Sequence, residues 1–252
     1  MSAPAWLTAR PIAHRGLHAP ENGVVENTLS AAQAAIEGSF SIECDVQLTS
    51  DGEAVVFHDF ALERLTNATG EVVSRSAAAL SNVAIKHSDD RIPTLAAFLA
   101  AIGGRTPLIV EIKSRFDGDW RLAERVAAAI GDYEGPIAIE SFDPRVIGHL
   151  RDNADRLGTG RYPLGIVAEA GYDDHKPPLP PAMRENLVAF LHYPQTRPDF
   201  LSWRVDDLPH AIPFLLRTRL ETPVLAWTVR REEQRARAAQ WADQIVFEGL
   251  LP

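Results

Sequence analysis

The stretch FSIECDVQLTSDGEAVVFHD, residues 40–59, decides how the rest of the chain is read. From Ile42 to Gln47 an apolar residue alternates with a charged or polar one, the period of a β-strand. Asp51-Gly52 is a two-residue hairpin signal, so 54–58 is expected to return antiparallel against its predecessor. With that dipeptide as the loop, Ser50 faces Glu53 and Asp45 faces His58. Glu43 lies two residues before Asp45 and shares its face. Glu43, Asp45 and His58 are therefore expected on one patch. Two carboxylates roughly 6–7 Å apart along a strand repel each other unless something positive sits between them. Oxygen donors suit a hard divalent cation, Mg²⁺ or Ca²⁺. The plainer alternative is a solvated acidic face. It sits poorly with Ile42, Cys44 and Val46, which interleave as the buried side of the same strand. Cys44 points away from the carboxylates and reads as packing.

Working outward, β-type runs recur at 11–14, 40–47, 54–58, 107–112, 136–140, 163–167, 199–203, 222–229 and 244–248. Helical stretches at 28–37, 95–102, 120–130 and 232–241 fall between them. Strand alternating with helix means a parallel sheet with helices outside. Setting the hairpin arm aside, the expectation is a TIM (β/α)8 barrel with an antiparallel arm after its second strand. A short irregular excursion follows at 59–93. The run KPPLPP, 176–181, reads as a loop. The length, 252 residues, fits one barrel domain over 1–252.

Lys and Arg number 25 against 34 Asp and Glu, a net charge of −9, which argues against non-specific nucleic-acid binding. An anionic substrate then needs a local cluster of cations or a metal. A lone cysteine excludes an internal disulfide framework. No apolar run reaches the length of about 18 residues that a membrane helix needs. The first residues lack the basic-then-apolar pattern of a secretory signal, so a cytoplasmic protein with no stable membrane insertion is expected.

Two further clusters end apolar runs. Glu111 and Lys113 close 107–113 on one face, where a barrel builds its active site. They read as a third metal ligand and a phosphate clamp, or as a plain ion pair within the strand. His14-Arg15-Gly16 closes the first run. His14 titrates near neutrality, Arg15 offers a planar donor fork for phosphate oxygens, and Gly16 allows a sharp turn. Alone this tripeptide says little. Its weight comes from ending one strand while the acidic residues end two others.

Taken together, the sequence resembles the glycerophosphodiester phosphodiesterases. The matching pieces are His14-Arg15-Gly16, Glu26-Asn27-Thr28 opening a helix, Ile42-Glu43-Cys44-Asp45-Val46 and Asp51-Gly52. Val55-Val56-Phe57-His58-Asp59, Arg64-Leu65-Thr66, Ile92-Pro93-Thr94-Leu95, Glu111-Ile112-Lys113, Ser141-Phe142-Asp143 and Trp227-Thr228-Val229 follow in order. The resemblance implies a metal-dependent barrel hydrolase that cuts a small-molecule phosphodiester into glycerol 3-phosphate and an alcohol. It implies His14 and His58 as the acid/base pair. Glu43, Asp45 and Glu111 would hold one divalent cation, Arg15 and Lys113 would contact the phosphate, and Phe142 and Trp227 would line the mouth.

Two departures stand out. Pro20-Glu21-Asn22 competes with Glu26-Asn27-Thr28 for the motif before the first helix, and the amphipathic run after Thr28 favours the latter. Glu248 stands where the family ends on an aspartate. His18, His87, His149, His175, His192 and His210 have no motif partner and read as surface or satisfied core residues, although His18 borders His14. The competing readings are a related barrel enzyme acting on lysophospholipid or sphingomyelin-type substrates, and a non-catalytic barrel that binds phosphate esters.

Overall fold

The structure is a computed structural model that describes residues 3–173 and 178–252. Its strands are β1 (Ile12–Ala13), β2 (Ser41–Leu48), β3 (Ala54–Val56), β4 (Leu108–Ile112), β5 (Ile137–Ser141), β6 (Leu164–Ala168), β7 (Phe200–Arg204), β8 (Val224–Val229) and β9 (Gln244–Phe247). Each neighbouring pair from β4 to β9 is parallel. β1 closes the ring, pairing in parallel with β2 on one side and β9 on the other. Eight parallel strands thus form a closed barrel. β3 is the antiparallel arm, and it takes the edge of β2 that the short β1 leaves after Ile42.

The hairpin differs from expectation by one residue. Val46 pairs with Val56, Gln47 with Val55 and Leu48 with Ala54. Thr49 and Glu53 close the loop, through Thr49 N donating to the Glu53 carbonyl at 2.9 Å. The loop is therefore Ser50-Asp51-Gly52, with Gly52 left-handed at φ 81°, a favoured three-residue hairpin geometry. Phe57, not His58, lies opposite Asp45, and its N–H donates to the Asp45 carbonyl at 3.0 Å. His58 sits past the end of the ladder. The Gln47 side chain bends the chain there: its amide donates to the carbonyls of Phe57 (3.2 Å), His58 (3.0 Å) and Asp59.

Strand alternation divides the barrel interior into layers. The lower layer is apolar: Ile12, Ile109, Ala138, Phe200, Leu225 and Val246, stoppered from below by Leu7. Gly165 makes room in it, because a Cβ at that position would overlap the ring of Phe200, its register partner on β7. Two residues further along the strands the interior turns polar, with Glu111, Glu140 and Ser202 above Ile109, Ala138 and Phe200. The outward residues Ile42, Cys44 and Val46 pack among Phe98, Leu99 and Leu122 of the helical layer.

The expected helices are present as Leu29–Glu37, Leu95–Ile102, Arg121–Ile130 and Glu232–Trp241. Thr28 and Thr94 cap the first two, accepting from the N–H of Ala31 (3.2 Å) and Ala97 (3.1 Å). The structure adds Pro144–Asp152, Pro181–Val188 and Ala211–Arg219. The excursion at 59–93 is more ordered than expected. It folds a small core of its own, in which Leu62, Val72, Leu80, Ile85 and Ile92 meet Val55 and Phe57 of the arm. Of KPPLPP, residues 176–177 lie outside the described residues, 178–180 have no regular structure, and Pro181 opens a helix. No helix among the described residues is long and apolar enough to cross a membrane.

Filling the space that Gly165 leaves overpacks the lower layer. Gly165→Ala is expected to lower unfolding stability by about 1–3 kcal/mol in urea titration. An unchanged midpoint would show that Phe200 can move aside.

Candidate active site

The first arm of the site is built by backbone conformation. Arg15 and Gly16 are both left-handed, at φ 59° and 80°. A Cβ on Gly16 would lie 2.8 Å from the Ala31 backbone, so no other residue fits without a shift. For Arg15 the left-handed region costs roughly 1–2 kcal/mol. What the turn gains is direction: Arg15 N–H points down and donates to Glu43 Oε2 at 3.0 Å. Glu26 accepts from Arg15 Nη1 at 2.7 Å, and Arg15 Nε lies 3.2 Å from Asp45 Oδ2.

His14 projects from the same turn. Its Nδ1 is 2.8 Å from Glu248 Oε2, and its Nε2 is 4.0 Å from Glu43 Oε2. A carboxylate can only accept, so Nδ1 carries the proton and Nε2 presents its lone pair to the cavity. Burial lowers His14 to about 4, against the pull of Glu248, so the imidazole is neutral. Glu248 is held well below the usual carboxylate range by His14 first and Arg230 second. The residue left open by the sequence is thus the partner that orients His14.

Three carboxylates meet beneath this turn. Glu43, Asp45 and Glu111 each offer an oxygen, and the three oxygens lie within 4.8 Å of one another. All three residues are buried. Asp45 accepts from Asn27 Nδ2 at 2.8 Å and pairs with Lys113 Nζ at 3.0 Å. Burial opposes its ionisation, but Lys113, His58 and Arg15 hold its pKa down. Lys113 also donates to Glu111 Oε1 at 2.8 Å, and despite burial the two carboxylates keep its ammonium charged. Glu43 is different. Burial first, then Asp45 and Glu111, push its carboxyl up, and its Oε1 is buried with no hydrogen-bond partner among the described residues. An orphaned oxygen inside an oxygen cluster is the donor set of a hard divalent cation, so these residues fit one.

The second arm carries His58, whose Nδ1 is 2.7 Å from Asp59 Oδ1. Arg64 joins the arms: its guanidinium donates to Asp59 Oδ1 at 3.0 Å and to both oxygens of Glu26 at 2.7 and 2.9 Å. Burial would raise Glu26, but Arg64 and Arg15 hold it at about 2. The favoured motif Glu26-Asn27-Thr28 therefore supplies an ion-pair bridge, a ligand to Asp45 and a helix cap. The rival Pro20-Glu21-Asn22 lies in an exposed turn away from these contacts.

His14, Arg15, Glu43, His58, Glu111, Lys113, Phe142 and Trp227 all line one cavity of about 300 Å³. It opens where the parallel strands end. Asp45 lies buried behind Lys113. The cavity wall holds residues the sequence reading passed over. Glu140 is buried, and Ser202 Oγ donates to its Oε2 at 2.5 Å. Burial drives Glu140 to about 8, with Glu111 and Asp45 adding to the effect against the Ser202 bond. Its signal was available, since Glu140 ends an apolar run as Glu111 does. Arg204 and Glu169 pair at 3.0 Å on the rim. Of the remaining histidines, His18 borders the site with both ring nitrogens buried and without a hydrogen-bond partner among the described residues. His149 stacks on Trp120, His210 stacks on Trp203, His192 is buried and His87 is exposed. His175 lies outside the described residues.

This arrangement has relatives. Residues 14–250 match the glycerophosphoryl diester phosphodiesterase family. The chain belongs to that family. Membership makes it an enzyme that hydrolyses glycerophosphodiesters to glycerol 3-phosphate and an alcohol. The glycerophosphodiester phosphodiesterase of Caldanaerobacter subterraneus is 35% identical over 62% of this chain and 68% of its own. Mouse glycerophosphodiester phosphodiesterase 1 is 28% identical over 59% of this chain and 47% of its own, so the match spans about half of that longer protein. Among solved structures, an Oleispira antarctica phosphodiesterase in complex with sn-glycerol 3-phosphate superposes with a TM-score of 0.74 at 21% identity, covering 94% of this chain and 91% of its own. The Thermotoga maritima glycerophosphodiester phosphodiesterase gives 0.68 at 22% identity over 94% and 92%. At those identities the two structures establish the shared barrel.

The raised carboxyls make stability depend on pH in a definite direction. Glu140 goes from an ordinary 4.5 to about 8 on folding. Its folded state is favoured below 4.5 and loses about 1.4 kcal/mol per unit as pH rises from there toward 8. Glu43 acts in the same sense. Chelator-treated protein should therefore lose melting temperature between pH 5 and 8 on account of these two groups, and Glu140→Gln should flatten the slope. A slope untouched by that substitution would contradict the assignment.

Proposed function

We propose that this barrel, as one domain over residues 1–252, works with a single divalent cation, Mg²⁺ or Ca²⁺, held by Glu43, Asp45 and Glu111. The observation that carries the reading is the meeting of two imidazoles, two cations and the carboxylate cluster at one cavity. The bound cation would supply Lewis-acid charge beside the phosphate. Arg15 and Lys113 bind non-bridging oxygens and offset the charge that grows on them. Glu248 and Asp59 each take the Nδ1 side of one histidine, which turns both Nε2 atoms toward the cavity. One imidazole removes a proton from the attacking hydroxyl or water, and the other returns one to the departing alcohol oxygen. The rings of Phe142 and Trp227, edge-on with centroids 5.4 Å apart, pack against substrate carbons. The lone cysteine, buried and free, suits the cytoplasm, where we place the protein.

The test separates proton transfer from metal binding. His14→Ala and His58→Ala are each expected to slow glycerol 3-phosphate release from glycerophospho-alcohols by about 10²–10⁴. Divalent-ion affinity by calorimetry should stay near that of the parent. Asp45→Asn should instead abolish the calorimetric signal. Full turnover in either histidine variant would overturn its role, and undiminished cation binding in Asp45→Asn would overturn the metal site.

A further inference from the structure

Glu140, in the wall of the cavity, has no part in the reaction just described. Glu140 is 3% exposed, and Ser202 is its only hydrogen-bond donor among the described residues. It stands beside Glu111 in the β4–β5 register yet falls outside the trio whose oxygens converge. Leaving a buried carboxyl group with one hydrogen bond is costly unless something else completes its shell.

Its surroundings say what would complete the shell. Trp227 lines the same cavity and is held by the same serine, its indole N–H donating to the Ser202 carbonyl at 3.0 Å. Phe142 meets Trp227 edge-on. A fixed acceptor beside rigid ring faces matches a short carbon chain bearing hydroxyl donors. The cations Arg15 and Lys113 on the same cavity remain the partners for the phosphate.

We infer that Glu140, aimed by Ser202, reads the free hydroxyls of the glycerol half of the substrate, with Trp227 and Phe142 against its carbons. The inference rests on the hydrolytic reading and deepens it. The glycerol half then occupies the closed wall. The alcohol half faces the rim, where Arg204 is paired with Glu169 and Arg230 with Glu248.

The test uses binding, so that it does not depend on which oxygen attacks. The affinities of sn-glycerol 3-phosphate and of propyl phosphate, which lacks both hydroxyls, are measured by calorimetry on the full chain with Mg²⁺. The parent is expected to favour glycerol 3-phosphate by about 10- to 100-fold, the cost of leaving a buried polar group unpaired. Glu140→Leu should bring the ratio close to one while leaving propyl phosphate binding in place. Ser202→Ala should reduce the ratio less, and Glu140→Ala, which also removes the acceptor and should likewise bring the ratio close to one, keeps the experiment decisive if the leucine variant fails to fold. An unchanged ratio overturns the inference. So does an equal loss for both ligands, which would make Glu140 a support of the carboxylate cluster. A parent that binds both ligands but turns over no glycerophosphodiester would refute the hydrolytic reading instead.

Discussion

Three carboxylates whose oxygens lie within 4.8 Å of one another cannot all stay ionised in a protein interior without positive charge among them. Much of the upper barrel answers to that constraint. Lys113 touches two of the three, Arg15 approaches Asp45 and turns its backbone N–H to Glu43, and Asn27 grips Asp45 from the first loop. These donors still leave one Glu43 oxygen bare. The shortfall is what a metal would make good, and it sits where substrate phosphate would arrive. Repulsion that weakens the fold is thus the same repulsion that draws in the cation, a common trade at functional sites.

The two histidines come from distant parts of the chain, and one chain of ion pairs ties His58 to the turn that carries His14. His58 leans on Asp59, Asp59 on Arg64, Arg64 on Glu26 and Glu26 on Arg15. The excursion at 59–93 is therefore more than a connector. Its small apolar core anchors the segment that carries Arg64, and Asp51 of the hairpin loop accepts from the Ala77 N–H at 3.0 Å to tie the arm to it. His14 is steadied independently from the end of the barrel, by Glu248 just beyond β9.

Much of this was legible in the residues. Alternation in β2 gave the carboxylate face, Asp-Gly gave the arm, and runs ending in charge gave the rim of the barrel. The hairpin register was not legible, because Asp-Gly serves both two- and three-residue loops, and only the pairing of Thr49 with Glu53 decides between them. His58 still reached the cavity, since the Gln47 amide bends the strand end, a long-range contact no local pattern encodes. Helix Ala211–Arg219 escaped notice because Phe214 and Leu215 are 48% and 53% exposed, which blurs its apolar stripe. Glu140 and Ser202 were missed for another reason. They lie on different strands, and neither belongs to a motif. Glu140 ends an apolar run as Glu111 does, but only closure of the barrel sets Ser202 against it.

The central claim is that the bare Glu43 oxygen marks the seat of one cation shared with Asp45 and Glu111. Anomalous diffraction from crystals soaked in Mn²⁺ tests it directly. The account predicts a single strong peak in contact with all three carboxylates and absent after Glu43→Gln. A peak bound elsewhere, or one that survives that substitution unchanged, would contradict it.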